Sequence, residues 1–310
     1  MRWLKYLGWG VVLLLAAGSI FQAVGTNRTL HHPPGSLIDA GGYKMHLYCT
    51  GQGASTVILD AGLGDSWMSW QPVQSRIATF ARVCSYDRAG MGWSEPRPAP
   101  RTSRSIAEEL HSLLRNARVP APYILVGHSF GGYNVRIYTD RYRQDVAAMV
   151  LIDSSHPDQI ARLPQIRKYQ ARYEWLLPVT KYSMLFGIPR IVGACPAGAT
   201  AECSYSWIRE TEAEYKGIEE SAAQVRATAP LGDLPLRVLS RDPERVDPPI
   251  PQDVGLEANR EWTKMQEELA ALSTNGKRIV APGCGHYIHV CNPTLVVEAV
   301  RELTIPRIAK

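Results

Sequence analysis

Short apolar runs alternate with longer amphipathic segments along most of the chain. The runs occupy residues 56–59, 83–86, 123–126, 148–152, 236–239 and 278–280. Nearly continuous apolar runs of this length are typical of parallel strands that are covered on both faces of a sheet. The alternation therefore predicts an α/β fold with a mostly parallel central sheet and helices on both faces.

Other segments show the pattern of helices or of a hairpin. Two apolar stretches joined by Gly41-Gly42 predict a β-hairpin ahead of the sheet. Apolar residues at helical spacing predict a helix over residues 103–117, with Ser103 or Ser105 as its cap. Similar patterns predict helices over residues 132–141, 261–272 and 293–303.

The alternation lapses between residues 156 and 234. This part is rich in Tyr, Trp, Arg and Glu, and residues 160–175 and 205–228 have helical character. It is too long for a loop. We therefore predict a helical cap over residues 156–234, inserted into a core formed by residues 36–155 and 235–310.

Two groups of cap residues each allow two interpretations. The aromatic side chains either line an apolar acyl pocket or seal the cap onto the core; they are Tyr169, Tyr173, Trp175, Tyr182, Phe186 and Trp207. The acidic side chains are interpreted as a solvated helix face, with an amine-binding carboxylate cluster as the alternative; they are Glu210, Glu212, Glu214, Glu219 and Glu220.

The N-terminal 25 residues differ from the rest of the chain. Arg2 and Lys5 precede an uncharged stretch from Leu7 to Gly25, close to the ~20 residues that a helix needs to cross a bilayer. We predict a membrane-spanning signal anchor over residues 1–25 and a linker over 26–35, with a cleaved signal or a buried helix of a soluble protein as the alternatives. The cations before the span place the remainder outside the cytoplasm, in a periplasmic or extracellular position, or secreted if the signal is cleaved.

Charge and cysteine content indicate the kind of partner and the cellular compartment of the protein. The formal net charge of +5 is mild and no run of Lys or Arg occurs, so we expect no nucleic-acid partner. Six cysteines fit an oxidising compartment. Their positions suggest the pairs Cys195–Cys203, Cys284–Cys291 and, more weakly, Cys49–Cys84, although spacing does not determine connectivity and six free thiols are the alternative. No C-x-x-C pair is present to suggest zinc.

The stretch GHSFGG places Ser129 between Gly127 and Gly131, after one predicted strand and before a predicted helix. A serine at a tight strand-to-helix turn adopts a strained backbone, and its neighbours two positions away must lack side chains to avoid a clash. Such a turn exposes the hydroxyl at the carboxyl edge of the sheet. Ser129 is therefore the candidate nucleophile.

A serine nucleophile needs a base, an acid that orients the base, and donors for the oxyanion. His286, in a glycine-bracketed loop after the last strand, is the candidate base, and His289 is its rival. Asp153 and Asp242 each follow a strand and both qualify as the acid; we favour Asp153. The expected oxyanion donors are the backbone N–H groups of Phe130 and Leu63.

Four motifs occur in the order DAGLGDSWMSW, YDRAGMGWSEP, GHSFGG and GCGHYIHVCNP, within residues 36–305. In this they resemble the α/β-hydrolase superfamily, which implies a Ser-acid-His order along the chain and a structural turn near the site at residues 86–94. The chain departs from the family pattern at Asp60-Ala61-Gly62, where His-Gly is usual, and at Ser240-Arg241-Asp242, where G-x-x-D is usual. Relatives altered at the second motif often take the acid from the position that Asp153 matches.

The resemblance also narrows the chemistry. Epoxide hydrolases and haloalkane dehalogenases of this fold carry an Asp where this chain has Ser129, whereas a serine suits acyl transfer from esters, lipids, thioesters or amides to water. We expect a capped, carboxylesterase-like serine hydrolase that acts on a small ester or amide and needs no metal or organic cofactor. The alternatives are an aminopeptidase or amidase of the proline-iminopeptidase type, which shares the YDRAGMGWS-like turn, and a receptor-like ligand binder with little turnover.

Overall fold

The computed structural model describes residues 2–29, 34–97, 100–195 and 203–304. Within them one eight-stranded sheet has the order β1-β2-β4-β3-β5-β6-β7-β8. Its strands are β1 Ser36–Asp39, β2 Lys44–Thr50, β3 Thr56–Asp60, β4 Arg82–Tyr86, β5 Tyr123–His128, β6 Val146–Ile152, β7 Leu236–Arg241 and β8 Gly276–Ala281. The hairpin and the six apolar runs of the sequence are all strands of this sheet.

The sheet is antiparallel at one edge and parallel elsewhere. The hairpin β1–β2 pairs antiparallel, β2 pairs antiparallel with β4, and every pairing from β4 to β8 is parallel. All six residues of β5 are buried, because helices cover both faces of the parallel part. The predicted α/β-hydrolase architecture is confirmed, and its parallel strands direct their carboxyl ends to one edge.

Helices cover the two faces of the sheet. The core on one face includes residues of α3 Ser103–Asn116, α4 Gly131–Arg141 and α10 Gln252–Ala270. The core on the other face includes residues of α2 Gln71–Ile77 and α12 Pro293–Thr304, and the short α11 Ile288–Cys291 adjoins it. Helix α3 begins after Thr102, which makes no side-chain capping bond, so the prediction of a Ser103 or Ser105 cap was wrong.

The elements described between β6 and β7 are helical: α5 Gln159–Arg162, a 3-10 turn at Pro164–Ile166, α6 Arg167–Leu185, α7 Ile188–Ile191, α8 Tyr205–Lys216 and α9 Ile218–Arg226. The helix expected over 205–228 is divided at Gly217. A Cβ at Gly217 would lie 2.5 Å from the Arg101 carbonyl oxygen, so the chain turns there against the core. The helix expected over 261–272 begins earlier, at Gln252, directly after Pro251.

The N-terminal helix α1 covers Arg2–Thr29 and so extends past the predicted boundary at residue 25 into the expected linker. Residues 30–33 of that linker lie outside the described residues. Within α1, Lys5–Gly25 has a mean hydropathy of 1.9 and is long and apolar enough to cross a membrane. A helix of this kind is compatible with an anchor or with a signal sequence.

Three disulfides join Cys49 to Cys84, Cys195 to Cys203 and Cys284 to Cys291. The suggested pairs are confirmed. Cys49 and Cys84 are directly opposite each other on the antiparallel strands β2 and β4. This register explains how residues 35 positions apart in the sequence become bonded.

Candidate active site

Ser129 lies at the turn between β5 and α4, at the carboxyl end of the sheet. Its φ of +51° is in the left-handed region, which non-glycine residues rarely occupy. A Cβ at Gly127 would lie 2.6 Å from the Gly131 carbonyl oxygen, and one at Gly131 would lie 2.7 Å from that of Ala61. The two glycines are therefore required by close backbone packing around the serine.

The Ser129 backbone is also fixed by hydrogen bonds to the neighbouring strand region. Its N–H donates to the Ile152 carbonyl oxygen at 3.1 Å, and its carbonyl oxygen accepts from the Ser155 N–H at 3.0 Å. The side chain is half-buried. Among the described residues the Ser129 hydroxyl has no hydrogen-bond partner, so a bond to His286 is not formed in this structure.

His286 follows β8 at the same edge of the sheet. Its Nδ1 lies 2.6 Å from Asp153 Oδ2, so the ring can donate from Nδ1 to the carboxylate and keep Nε2 free as an acceptor. Burial lowers the pKa of His286, and the Asp153 carboxylate opposes that shift. The sequence-predicted histidine and the favoured acid are thus hydrogen-bonded although 133 positions separate them.

Asp153 directly follows β6 and is fully buried. Its Oδ1 accepts from the Arg241 backbone N–H at 3.1 Å and from Trp262 Nε1 at 2.8 Å, while its Oδ2 also accepts from Arg241 Nε at 2.8 Å. Burial by itself would raise the pKa of Asp153, but the Arg241 charge and the His286 hydrogen bond hold it well below its ordinary value. The carboxylate is therefore charged when it faces the histidine.

Asp242, the alternative acid, is occupied elsewhere. Its Oδ2 accepts from the Gly283 N–H at 2.6 Å and its Oδ1 from the Glu244 N–H at 2.9 Å, and these backbone bonds lower its pKa. No hydrogen bond joins it to His286 among the described residues. The preceding residue, Arg241, reaches the site instead: its Nη2 lies 3.1 Å from His286 Nδ1.

Two further histidines surround the candidate base. The His128 Nε2 lies 3.1 Å from the His286 carbonyl oxygen, and the two rings are 4.6 Å apart. His289 is fully buried against Trp70, with ring centroids 4.7 Å apart, and burial lowers its pKa to about 2. Unlike His286, the enclosed His289 makes no hydrogen bond to Asp153 among the described residues.

The two expected oxyanion donors lie at the ends of neighbouring strands. Phe130 follows Ser129 at the start of α4, and Leu63 lies in the loop after β3, which pairs with β5. In the described part of the chain neither backbone N–H has an intramolecular acceptor. Gly64, next to Leu63, has a φ of +73°, which lets the loop turn tightly.

Arg88 binds the backbone of the loop that carries Leu63. The sequence did not reveal this role. Its guanidinium donates to the carbonyl oxygens of Ala61 at 2.8 Å and Gly62 at 2.7 Å. It also pairs with Asp60 at 3.1 Å and with Glu214 of α8 at 2.5 Å, all three side chains being buried. Arg88 lies within the motif YDRAGMGWS. A charged residue inside a turn expected near the site was the one sequence feature that could have pointed to this role.

The cap carboxylates only partly match the solvated-face interpretation. Glu219 and Glu220 are exposed, but Glu210, Glu212 and Glu214 are buried. Glu214 pairs with Arg88, Glu212 with Lys181 and Lys216, and Glu210 with Arg209. The prediction of a solvated face was wrong for Glu210, Glu212 and Glu214. Helical spacing does not show which cations the folded chain places beside a carboxylate.

Two of the cap aromatics differ from both interpretations, whereas Trp207 joins the cap to the core. Trp175 and Tyr182 are 68% and 58% exposed, so they neither line an enclosed pocket nor seal the cap onto the core. Trp207 donates from Nε1 to the Gly64 carbonyl oxygen at 2.8 Å. It so contacts the loop of residues 61–64 after β3, which is called the oxyanion loop because it carries the expected donor Leu63. The side chains of Tyr169 and Tyr173 lie outside the described residues.

Comparisons with known proteins identify the family of the chain. Residues 57–299 match the model of the alpha/beta hydrolase family. The chain is 28% identical over 257 residues to the uncharacterized protein YqjL of Bacillus subtilis, covering 82% of this chain and 85% of that one.

Two solved structures share the fold. A thermophilic esterase from Thermogutta terrifontis has a TM-score of 0.57 at 20% identity, with 84% of this chain and 92% of that chain covered. The Cif epoxide hydrolase from Acinetobacter nosocomialis has a TM-score of 0.68 at 15% identity, with coverages of 94% and 97%. With the family model spanning most of its length, the chain belongs to the alpha/beta hydrolase family.

Proposed function

We propose that this hydrolase cleaves carboxylic esters through an acyl-enzyme, using Ser129, His286 and Asp153. The observation that carries the proposal is the hydrogen bond between His286 Nδ1 and buried Asp153 at the edge of the sheet where Ser129 lies on its left-handed turn. This arrangement leaves His286 Nε2 available to take a proton. Catalytic hydrogen bonds of such sites are often long in the free enzyme and tighten when substrate binds.

The reaction follows from these roles. His286 Nε2 takes the proton of the Ser129 hydroxyl as Oγ attacks the ester carbonyl carbon. The N–H groups of Leu63 and Phe130 stabilise the negative charge that develops on the carbonyl oxygen. His286 then returns the proton to the leaving alkoxide, and water activated by the same histidine hydrolyses the acyl-enzyme. Asp153 holds the ring tautomer and stabilises the imidazolium.

The nucleophile supports ester chemistry over epoxide opening. The epoxide hydrolases of this fold use a carboxylate nucleophile, whereas this chain has Ser129 at that position. The aminopeptidase alternative gains little support, because it requires free carboxylates for a substrate amine, and Glu212 and Glu214 are already paired with cations. Receptor-like binding without turnover gives the serine, histidine and acid no chemical role.

A labelling and turnover experiment tests the proposal. A fluorophosphonate probe should label the wild-type protein and fail to label Ser129→Ala, and hydrolysis of p-nitrophenyl esters should fall about 10⁶-fold in the variant. Ser155→Ala, which alters a neighbouring serine, is the control and should retain labelling. Absence of both labelling and ester turnover in the wild type would refute the proposal, and preference for an aminoacyl anilide would favour the peptidase.

We further propose that α1 is an uncleaved anchor that places the catalytic domain outside the cytoplasm. Arg2 and Lys5 precede the apolar stretch, and the three disulfides suit an oxidising compartment. Protease added to cells stripped of any outer membrane and wall, with the inner membrane intact, should degrade the domain only if it lies outside the cytoplasm. A domain cleaved only after lysis would contradict this orientation.

A further inference from the structure

Exposed apolar side chains are concentrated on one short part of the cap. We define the cap hairpin as residues 175–193, which contain the end of α6 and α7. Its exposed apolar residues are Trp175, Leu176, Val179, Tyr182, Leu185, Ile188, Ile191 and Val192. Elsewhere in the described chain, outside α1, the large apolar side chains with comparable exposure are Leu37, Tyr287 and Val290. Exposed apolar side chains that are clustered in this way mark an interaction surface.

The exposed residues lie on one face of α6. Trp175, Val179 and Tyr182 are spaced by four and three positions, so they form a stripe along the helix. The opposite face of α6 buries Leu177 and Met184 in a cluster with Ile208 of α8. The stripe therefore points away from the protein and is accessible to a membrane or to a partner molecule.

The membrane-spanning segment of α1 contacts the same hairpin. Gly18, Gln22 and Gly25 share one face of α1, and that face meets Gly187 and Arg190. A Cβ at Gly187 would lie 2.8 Å from the Gly18 carbonyl oxygen, and Arg190 Nε donates to Gln22 Oε1 at 3.0 Å. Gln22 Nε2 also donates to the Cys203 carbonyl oxygen at 2.5 Å. The patch is thus continuous with a helix suited to lipid.

The depth of this contact matches that of an interfacial helix. Gly18 lies seven residues before Gly25, the end of the apolar segment, which corresponds to about 10 Å along a helix. Helices that lie in a membrane interface bury their apolar face by about 5–10 Å. The turn of the cap hairpin that touches Gly18 is therefore at interfacial depth when α1 spans the bilayer.

The composition of the cap hairpin also fits a lipid surface. Its charged residues are Lys181 and Arg190, and it contains no Asp or Glu. Both cations already have protein partners, Glu212 and Gln22, so what suits the headgroup region is the lack of acidic residues together with Trp175 and Tyr182, because Trp and Tyr favour the interface. We propose that the cap hairpin lies on the outer surface of the membrane beside α1, with Trp175, Ile191 and Val192 in contact with lipid.

This surface is connected to the candidate site through helix α8. The cap hairpin packs on α8 through Leu177 and Met184, and α8 contacts the oxyanion loop through Trp207 and Gly64. Resting on the proposed esterase function, we infer that the substrates are amphiphilic esters that enter from the bilayer. The surface itself does not depend on that chemistry.

Lipid quenching of tryptophan tests the surface. The full chain is reconstituted in phosphatidylcholine–phosphatidylglycerol vesicles with or without lipid brominated near the headgroup. The emission of Trp175, taken as the difference between wild type and Trp175→Phe, should fall about twofold or more with bromine. The emission of Trp93, taken from Trp93→Phe, should not change, because this residue packs on His46 in the core. Equal Trp175 emission in both lipids would overturn the proposal, as would a concentration-dependent burial of Trp175 in a second copy.

Turnover of two esters tests the route. Ile191→Glu should slow hydrolysis of a long-chain ester dissolved in the vesicles about tenfold and leave a water-soluble acetate ester unchanged. Leu37→Glu, at an exposed apolar position on β1, should affect neither substrate. If Ile191→Glu slows both esters equally, or neither, the route is wrong. If the wild type hydrolyses neither ester, the proposed function fails while the quenching result still decides the surface.

Discussion

Asp153 is a buried carboxylate that accepts hydrogen bonds from three side chains and one backbone N–H of the candidate site. It is fully buried, its φ is +40°, and it accepts from His286, from Trp262 and twice from Arg241. A buried carboxylate is stable only when its charge is compensated in this way. The Arg241 guanidinium also lies 4.8 Å from the Trp262 ring, so these partners support one another.

Replacement of each candidate acid by asparagine distinguishes the roles of Asp153 and Asp242. Asp153→Asn should lower kcat for ester hydrolysis about 10⁴-fold, because an amide no longer stabilises the productive tautomer and the imidazolium. Asp242→Asn should retain most turnover, because that side chain binds the turn at Gly283 and Glu244. Steady-state kinetics of the two purified variants measures this. Comparable losses in both would contradict the assignment.

Removal of the Arg241 charge should change the pH dependence. The cation disfavours the protonated form of His286 and also offsets the Asp153 charge, so Arg241→Gln should raise the pKa of His286. Because the deprotonated ring is the base, the acidic limb of the kcat/KM profile should move to higher pH. Arg278→Gln, which removes a cation paired with Glu267, is the control. A limb that stays in place or moves to lower pH would exclude this role for Arg241.

At the scale of elements, the oxyanion loop is held between the sheet and helix α8. Arg88 binds two loop carbonyl oxygens and pairs with Glu214, while Trp207 binds the Gly64 carbonyl oxygen. Burial raises the pKa of Asp60 to about 6, and the Arg88 charge opposes that shift. The position of the loop therefore depends on cap residues that are far from it in the sequence.

Weakening of this connection should reduce both stability and turnover. In the described part of the chain, Glu214→Gln leaves Arg88 with Asp60 as its one charged partner, and it should lower the free energy of unfolding by about 3–5 kcal/mol. The value of kcat should fall in the folded variant, because the Leu63 N–H is less firmly positioned. Urea unfolding and kinetics measure the two effects. Glu219→Gln, at an exposed position on α9, should change stability by less than about 0.5 kcal/mol; an equal effect of both variants would argue against the connection.

At the scale of the whole molecule, α1 and the cap hairpin form one contact through glycine. A Cβ at Gly18 would collide with the Phe186 carbonyl oxygen, whereas one at Gly8 would meet nothing within 4 Å. The first half of α1 is exposed along its described side chains. Among the described residues, the C-terminal half of the helix therefore has a specific packing partner and the N-terminal half does not.

Substitution of Gly18 should alter amide hydrogen exchange in the cap hairpin, whereas substitution of Gly8 should not. Gly18→Leu should separate α1 from the cap hairpin and speed amide hydrogen exchange in residues 184–192, measured on the full chain in vesicles. Gly8→Leu should leave this exchange unchanged, because its position faces open space. Equal exchange in Gly18→Leu and wild type would show that the helix–cap contact does not exist in the membrane.

Local patterns were sufficient for much of the fold. Period and apolarity identified the hairpin, the six further strands and α4, because each signal lies within a few neighbouring residues. The break between α8 and α9 was missed, since Gly217 is set by its approach to the Arg101 carbonyl oxygen, which is distant in the sequence. The beginning of α10 was missed because its first turns are largely polar.

By itself the sequence determined the hydrolase fold, the serine turn, the apolar N-terminal helix and the small set of histidines and acids that chemistry allows. Only the tertiary structure decided among them: it brought Asp153 to His286, turned Asp242 to its own loop, and placed Arg88 and Glu214 beneath the oxyanion loop. The physical reason is range. Backbone strain and apolar periodicity act between neighbours in the chain, whereas the compensation of a buried charge depends on residues that only the folded sheet and cap bring together.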